Sequence, residues 1–305
     1  MLMLKTTLTF FIIFSLPSVV YSNNSKNSLS GLENLENNYF SIFASPDGQS
    51  FALTNSNYNS LDIVNSKDLF KVSIPHINTF SCKWSPDSDK ILLTTANYTN
   101  KRRKNGLIVI SQYGELLLTI IDSTFKNIIP IGWTGDNTFH YHVNNILQSF
   151  NMNGDEIEWD QPLVYSINNK LYIKDDISDS VLIHEANDMI LNLSYQLDAN
   201  LIAFEVYGNE PLIMKNKSLV INDIDDGNML SISKDGKTVV YAKLKDDGYQ
   251  ITEGDLFLFD LKNSTTVKLQ NKNGEIRMNP VWITNELIYF IDFRTGSINS
   301  LIVKQ

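Results

Sequence analysis

Three short turns recur in this chain, each set between two brief apolar runs: Ser45-Pro46-Asp47-Gly48, Ser85-Pro86-Asp87-Ser88 and Ser233-Lys234-Asp235-Gly236. Each suits a type I turn. Serine occupies the first position, proline can pre-set φ at the second, aspartate bonds nearby amides, and glycine at the fourth tolerates the positive φ with which the chain re-enters a strand. Such a turn joins two antiparallel strands, so its recurrence marks an array of hairpins rather than a single sheet.

Reading outward from the turns gives seven units. Four short strands fall in each of 40–74, 80–121, 129–159, 191–222 and 229–269, and three in each of 163–184 and 279–303. In the third unit Thr134-Gly135-Asp136-Asn137 stands in for the turn. Runs such as Ile91-Leu92-Leu93, Val239-Val240-Tyr241 and Leu256-Phe257-Leu258-Phe259 are apolar at successive positions, so both faces of those strands must be covered. No long window carries a helical apolar period, and helix content should be low. Four-stranded sheets stacked face to face around an axis satisfy all of this, and that is a β-propeller. The turn signals recur every ~31 to 50 residues, against roughly 40 to 50 per blade, which favours seven blades. Six blades would follow if the short segment 161–188 belonged to a neighbour. The C-terminal unit lacks a fourth strand, which Ser30 to Asn38 would supply by joining the last blade and closing the ring.

The first residues read as a secretory signal: one positive charge at Lys5, the apolar stretch Leu8 to Val20 interrupted by Pro17, and a small residue at Ser22. Cleavage after Ser22 would leave residues 23–305 as one propeller domain, secreted or periplasmic. No later stretch holds the ~18 uncharged apolar residues of a membrane helix, so the mature chain has no expected transmembrane segment. Removing Lys5 leaves 24 basic against 34 acidic side chains, a net charge near −10, and this argues against a nucleic-acid partner. Cys82 is the single cysteine, so no internal disulfide can form, and it reads as a small apolar core residue.

The stretches "FSCKWSPDSDKILLTT" (80–95), "MLSISKDGKTVVYAK" (229–243) and "DLFLFDL" (255–261) resemble the WD40-like repeat of the TolB propeller, with "NPVWITNELIYFIDF" (279–293) as a worn copy. The resemblance implies a propeller that lies outside the cytoplasm and binds proteins. The separate N-terminal α/β domain of that family has no room between Ser22 and Phe40, which weighs against a Tol-Pal role. Prolyl oligopeptidase-like enzymes share the repeat, but their Gly-x-Ser-x-Gly elbow does not occur here. In such a repeat Asp47, Asp87 and Asp235 hold turns, while Trp84, Trp133 and Trp282 pack between blades.

Two clusters are candidate sites. His140 and His142 flank Tyr141 in a strand, share a face, and could grip one metal if a third ligand such as His184 came from elsewhere. The alternative is polar strand residues with no ligand. Lys101-Arg102-Arg103-Lys104 extends a hairpin in the second unit and concentrates positive charge on an acidic protein; the loop 97–106 that holds it could dock an acidic partner, glycan or anionic lipid, the alternative being a long solvated loop with no ligand. The expectation is a monomeric, non-catalytic binding scaffold with a protein partner and no cofactor. The competing readings are a propeller enzyme using a channel metal on a glycan or peptide, and a Tol-Pal-like envelope component.

Overall fold

The structure is a computed structural model and describes residues 38–65, 68–157, 162–174, 180–196, 198–221, 224, 226–271 and 274–303. The described residues form seven antiparallel sheets in chain order. The first holds β1 (Tyr39–Ala44), β2 (Ser50–Asn55), β3 (Leu61–Asn65) and β4 (Leu69–Lys71); the second, β5 (Ile77–Trp84), β6 (Lys90–Thr99), β7 (Arg102–Ser111) and β8 (Leu116–Thr124). The third holds β9 (Ile128–Gly135), β10 (Thr138–Val143) and β11 (Ile146–Asn151); the fourth, β12 (Leu163–Ile167), β13 (Lys170–Lys174) and β14 (Val181–Glu185). The fifth holds β15 (Ile190–Gln196), β16 (Leu201–Val206), β17 (Leu212–Lys215) and β18 (Ser218–Ile221). The sixth holds β19 (Gly227–Ile232), β20 (Thr238–Asp246), β21 (Ile251–Asp260) and β22 (Thr265–Lys268), and the seventh β23 (Arg277–Trp282), β24 (Leu287–Asp292) and β25 (Ser297–Ile302).

The apolar core is divided among the seams between consecutive sheets. One seam joins Ala52, Leu61 and Ile63 of the first sheet to Cys82, Ile91, Leu93 and Ile110 of the second. The ring closes where Ile42, Phe51, Leu53 and Val64 meet Met278, Ile283, Tyr289 and Ile291 of the last sheet, with the Phe51 and Tyr289 rings 5.0 Å apart. Burying each of the valine, leucine, isoleucine, phenylalanine and methionine side chains among these is worth about 1.5–3 kcal/mol. That requires both faces of every central strand to be apolar, which is why the sequence shows unbroken runs there. The fold is therefore an all-β, seven-bladed propeller. Trp133 and Trp282 lie in seams as the repeat pattern implies, and Trp84 packs at the edge of one.

The turns form as their chemistry dictates. The Gly48 amide donates to the Ser45 carbonyl at 2.9 Å, and the Ser50 amide to Ser45 Oγ at 2.9 Å. Gly236 and Thr238 repeat this on Ser233 at 2.9 and 3.0 Å. The fourth residue is left-handed in all three, with φ of 72° at Gly48, 65° at Ser88 and 65° at Gly236. The turns also tie blades together, since the Asp47 amide donates to Ser88 Oγ at 3.1 Å and the Asp235 amide to Asn285 Oδ1 at 3.0 Å.

First strands of neighbouring sheets lie side by side around the axis: β1 with β5, β5 with β9, β15 with β19, β19 with β23, and β23 with β1. Second strands are the most deeply buried, as in β2 and β16, and last strands are exposed, as in β4 and β22. The fourth sheet departs from this order. Where one blade hands over to the next, an amide at the start of the new inner strand donates to the turn between the second and third strands of the preceding sheet. Tyr39 does so to Gly296 at 3.1 Å and Thr79 to Tyr58 at 2.9 Å. Ile190 makes the same bond, at 2.7 Å, to Asn168 between β12 and β13. By that landmark β12, β13 and β14 are the second, third and fourth strands of their blade. Their burial agrees, falling from a buried β12 to an exposed β14. Among the described residues this blade has no inner strand.

Two expectations need correction. Residues 97–106 are not a free loop: β6 and β7 remain paired to Thr99 and Arg102, and Asn100-Lys101, with φ of 52° and 62°, form a tight two-residue hairpin turn. The expected fourth strand of the third unit reduces, among the described residues, to one bridge between Phe150 and Glu156. The expected closing strand, residues 30–37 before Asn38, lies outside the described residues.

Candidate functional site

Turns between second and third strands share one end of the ring with the starts of the inner strands, as the bonds from Asn144 to Asn127 (3.0 Å) and from Tyr207 to Met189 (2.9 Å) show. Two hairpins are much longer than the rest at this end. One is β6–β7, paired without a break from Lys90–Ser111 to Thr99–Arg102. The Arg102 guanidinium carbon sits 4.5 Å and Lys104 Nζ 5.1 Å from the centroid of the Phe125 ring, a cation–π arrangement that holds both charges over an exposed aromatic. Arg103 Nε donates to Asn105 Oδ1 at 2.8 Å, and Asn105 Nδ2 to the Lys126 carbonyl at 2.9 Å, which fixes the base of the hairpin. Lys101, Arg102 and Arg103 are exposed, as is Tyr98, which pairs across from Arg103. The basic cluster is thus a rigid strand surface with aromatic company, not a mobile loop.

The second long hairpin is β20–β21, whose tip turns through Gly248 at φ 88° and leaves Tyr249 99% exposed. It carries Asp246, Asp247 and Glu253, and Lys245 Nζ pairs with Glu253 at 2.7 Å. This tip was missed in the sequence because its strands run past the apolar core into polar residues. The Asp246-Asp247-Gly248 signal between two β-rich runs could have found it. The end face therefore presents one basic and one acidic hairpin, both tipped with exposed aromatics. Arginine and tyrosine are the residues most able to carry binding energy at a protein interface.

The histidines sit elsewhere. Phe139 and Tyr141 of β10 face the second sheet, so His140 and His142 face the fourth. His140 bonds Thr134 Oγ1 at 2.7 Å and Ser149 Oγ at 3.0 Å. His142 lies edge-on to Tyr165 at 5.2 Å, and neither of its ring nitrogens has a hydrogen-bond partner. Burial pushes the imidazole pKa down to about 3 for His140 and about 4 for His142, so both are neutral near pH 7. His184 packs against Phe204 in the next seam. Among the described residues, no three His, Cys, Asp or Glu side chains gather closely enough to hold a metal. The pair shares a face as expected, but the structure brings it no third ligand.

The sequence matches no protein-family model and no curated protein. Solved structures are similar in fold. The β-propeller domain of Myceliophteria thermophila Cps50 (Swd1) matches with a TM-score of 0.61 at 11% identity, covering 88% of this chain and 98% of that domain. KlHsv2 with loop 6CD replaced by a Gly-Ser linker matches at 0.56 and 12% identity, with coverage of 88% and 98%. Hsv2 of Kluyvelomyces marxianus matches at 0.53 and 13%, again covering 88% and 98%. At these identities the likeness is one of architecture.

Proposed function

We propose that this protein is a non-catalytic protein-binding scaffold, exported by its N-terminal signal and comparable to the propeller of TolB. The observation that carries the reading is the end face with its two long hairpins. Stacked blades hold the hairpins rigid, and Tyr98, Phe125, Arg102 and Lys104 are displayed there at little entropic cost. The basic hairpin suits an acidic partner segment. The test compares capture by the purified protein with capture by a Tyr98→Ala/Arg103→Glu variant, using the exported protein fraction of the source cells. A partner held by the parent and lost by a variant of unchanged thermal stability supports the reading, and identical capture refutes the assignment of the face. Export is tested by the mass of the mature chain, expected to begin at Asn23. A mature protein that retains Met1 to Ser22 would refute it.

A further inference from the structure

The seam between the third and fourth sheets is thinner than the other six. Its buried core is Leu163 and Tyr165, with Ile131, Leu147, Ile167 and Tyr172 only partly buried around them. Three observations trace this to one missing element. The inner edge of β12 pairs with no strand among the described residues, while its other edge pairs with β13 from Leu163 to Ile167. On the facing sheet, His142 is 1% exposed and aims two unpartnered ring nitrogens toward this seam. On the same face, Gly132 is buried and opposite His140, yet a side-chain carbon placed on it would meet nothing within 4 Å. Each is what remains when an inner strand is absent: a bare backbone edge, an orphaned polar group and an unfilled space.

We infer that the axial edge of β12 is a docking slot for an extended segment of a partner protein, which completes the blade by β-strand addition and carries a tryptophan near its C-terminal end. The slot is separate from the hairpin face and does not depend on it. Backbone bonds to β12 would supply affinity, and the flanking side chains specificity. The tryptophan follows from the two seams nearest in chain order, although Trp282 at the same place in the seventh sheet leaves its Nε1 without a partner. Trp84 Nε1 donates to the Phe43 carbonyl of the preceding inner strand at 2.9 Å, and Trp133 Nε1 to the Lys83 carbonyl at 2.9 Å. The residue of β9 that corresponds to Phe43 and Lys83 is Gly132, so its carbonyl is the equivalent acceptor position. His142, as a neutral imidazole, offers one further donor and one acceptor.

No described segment of this chain lies on that edge. Only six residues separate Glu156 from Leu163, fewer than an inner strand of six to eight residues plus its turns. Asn38, where the preceding chain enters the fold, abuts Gly296 in the seventh sheet, and β25 ends in that sheet too. The first and last described residues, Asn38 and Val303, are thus three blades away around the ring. An occupant from outside is the arrangement that the topology favours.

The test uses hydrogen exchange on the full mature chain with a synthetic peptide of the Ile77–Trp84 sequence, serine replacing Cys82. Expected is fast exchange at alternate amides of Leu163–Ile167 in the free protein, slowed about tenfold or more by saturating peptide. A Trp84→Phe peptide should bind more weakly, and one N-methylated on its pairing edge should not protect β12 at all. The inference is overturned if the peptide leaves β12 exchange unchanged, or if N-methylation has no effect. It is also overturned if β12 is already protected in the free protein. Deletion of residues 23–37 or dilution then shows whether the chain itself or a second copy fills the edge. The Tyr98→Ala/Arg103→Glu variant should take up the peptide like the parent, so failure of the hairpin reading and failure of this one are distinguishable.

Discussion

Replacing Gly236 with alanine separates two costs that the repeat turns impose together. Gly236 has φ 65°, and a methyl group there would lie 2.4 Å from the Ala199 Cβ of the neighbouring blade. Ordinary carbon–carbon contact is about 3.5–4.0 Å, so the overlap exceeds an ångström and must be relieved by moving one turn against the other. Gly248 is the matched control, with φ 88° and nothing within 4 Å of its added carbon. Left-handed backbone costs an L-residue roughly 1–2 kcal/mol, and the lower entropy of unfolded alanine offsets about 0.4–1 of the destabilisation one would otherwise expect from glycine loss. Gly248→Ala should therefore cost about 1 kcal/mol. Overpacking adds about 1–3 kcal/mol, so Gly236→Ala should cost about 2–4 kcal/mol. In urea unfolding followed by tryptophan fluorescence, both variants should shift the midpoint without changing the slope. In thermal unfolding the shifts are about 2–4 °C for Gly248→Ala and roughly 4–16 °C for Gly236→Ala. Adding Ala199→Gly should recover the overpacking part and none of the backbone part. Equal losses at Gly236 and Gly248, or no recovery in the double variant, would refute the claim that adjacent blades touch through their turns.

Stability should fall as pH drops from about 6.5 toward 4. Burial lowers the folded pKa of His140 to about 3 and of His142 to about 4, so the unfolded chain binds more protons than the folded one across that window. His142→Phe should flatten this slope in pH-dependent urea titrations, and an unchanged slope would contradict the buried neutral assignment. Cys82 is buried and burial raises its thiol pKa to about 12, so the folded protein should react with thiol reagents only on unfolding. Fast labelling in native buffer would place Cys82 outside the seam. Arg277 is 1% exposed, paired with Glu275 at 2.7 Å and bonded to the Gln270 carbonyl at 3.0 Å. Glu275→Ala should cost about 3–5 kcal/mol by removing the ion-pair partner of that buried charge, far more than breaking the exposed Lys245–Glu253 pair.

Local chemistry made much of this fold legible before any coordinates. The turns at Ser45, Ser85 and Ser233 are closed by their own serine and aspartate, with glycine or, at position 88, serine taking the left-handed fourth place, so a few adjacent residues suffice to define them. The unbroken apolar runs of β6, β20 and β21 announced strands covered on both faces, and seams drawn from adjacent sheets are the packing that follows. The candidate sites were less legible. Lys101 to Lys104 stand out by charge, yet their setting on a paired hairpin over Phe125 depends on strand pairing that continues beyond the apolar core. His140 and His142 advertise a shared face, but the partners that decide their chemistry, Ser149 and Tyr165, come from other strands and another sheet.

The sequence alone determined that the chain is a series of hairpins with two-sided apolar strands, because turn type and burial pattern depend on neighbours a few residues apart. Only the tertiary structure decided that the first sheet seals against the seventh, that two hairpins rise from one end face, and that the fourth blade, among the described residues, begins at its second strand. Those facts rest on contacts between residues tens to hundreds of positions apart. Nothing in a local pattern of Leu163 to Ile167 distinguishes a first strand from a second; the hydrogen bond from Ile190 to Asn168 does.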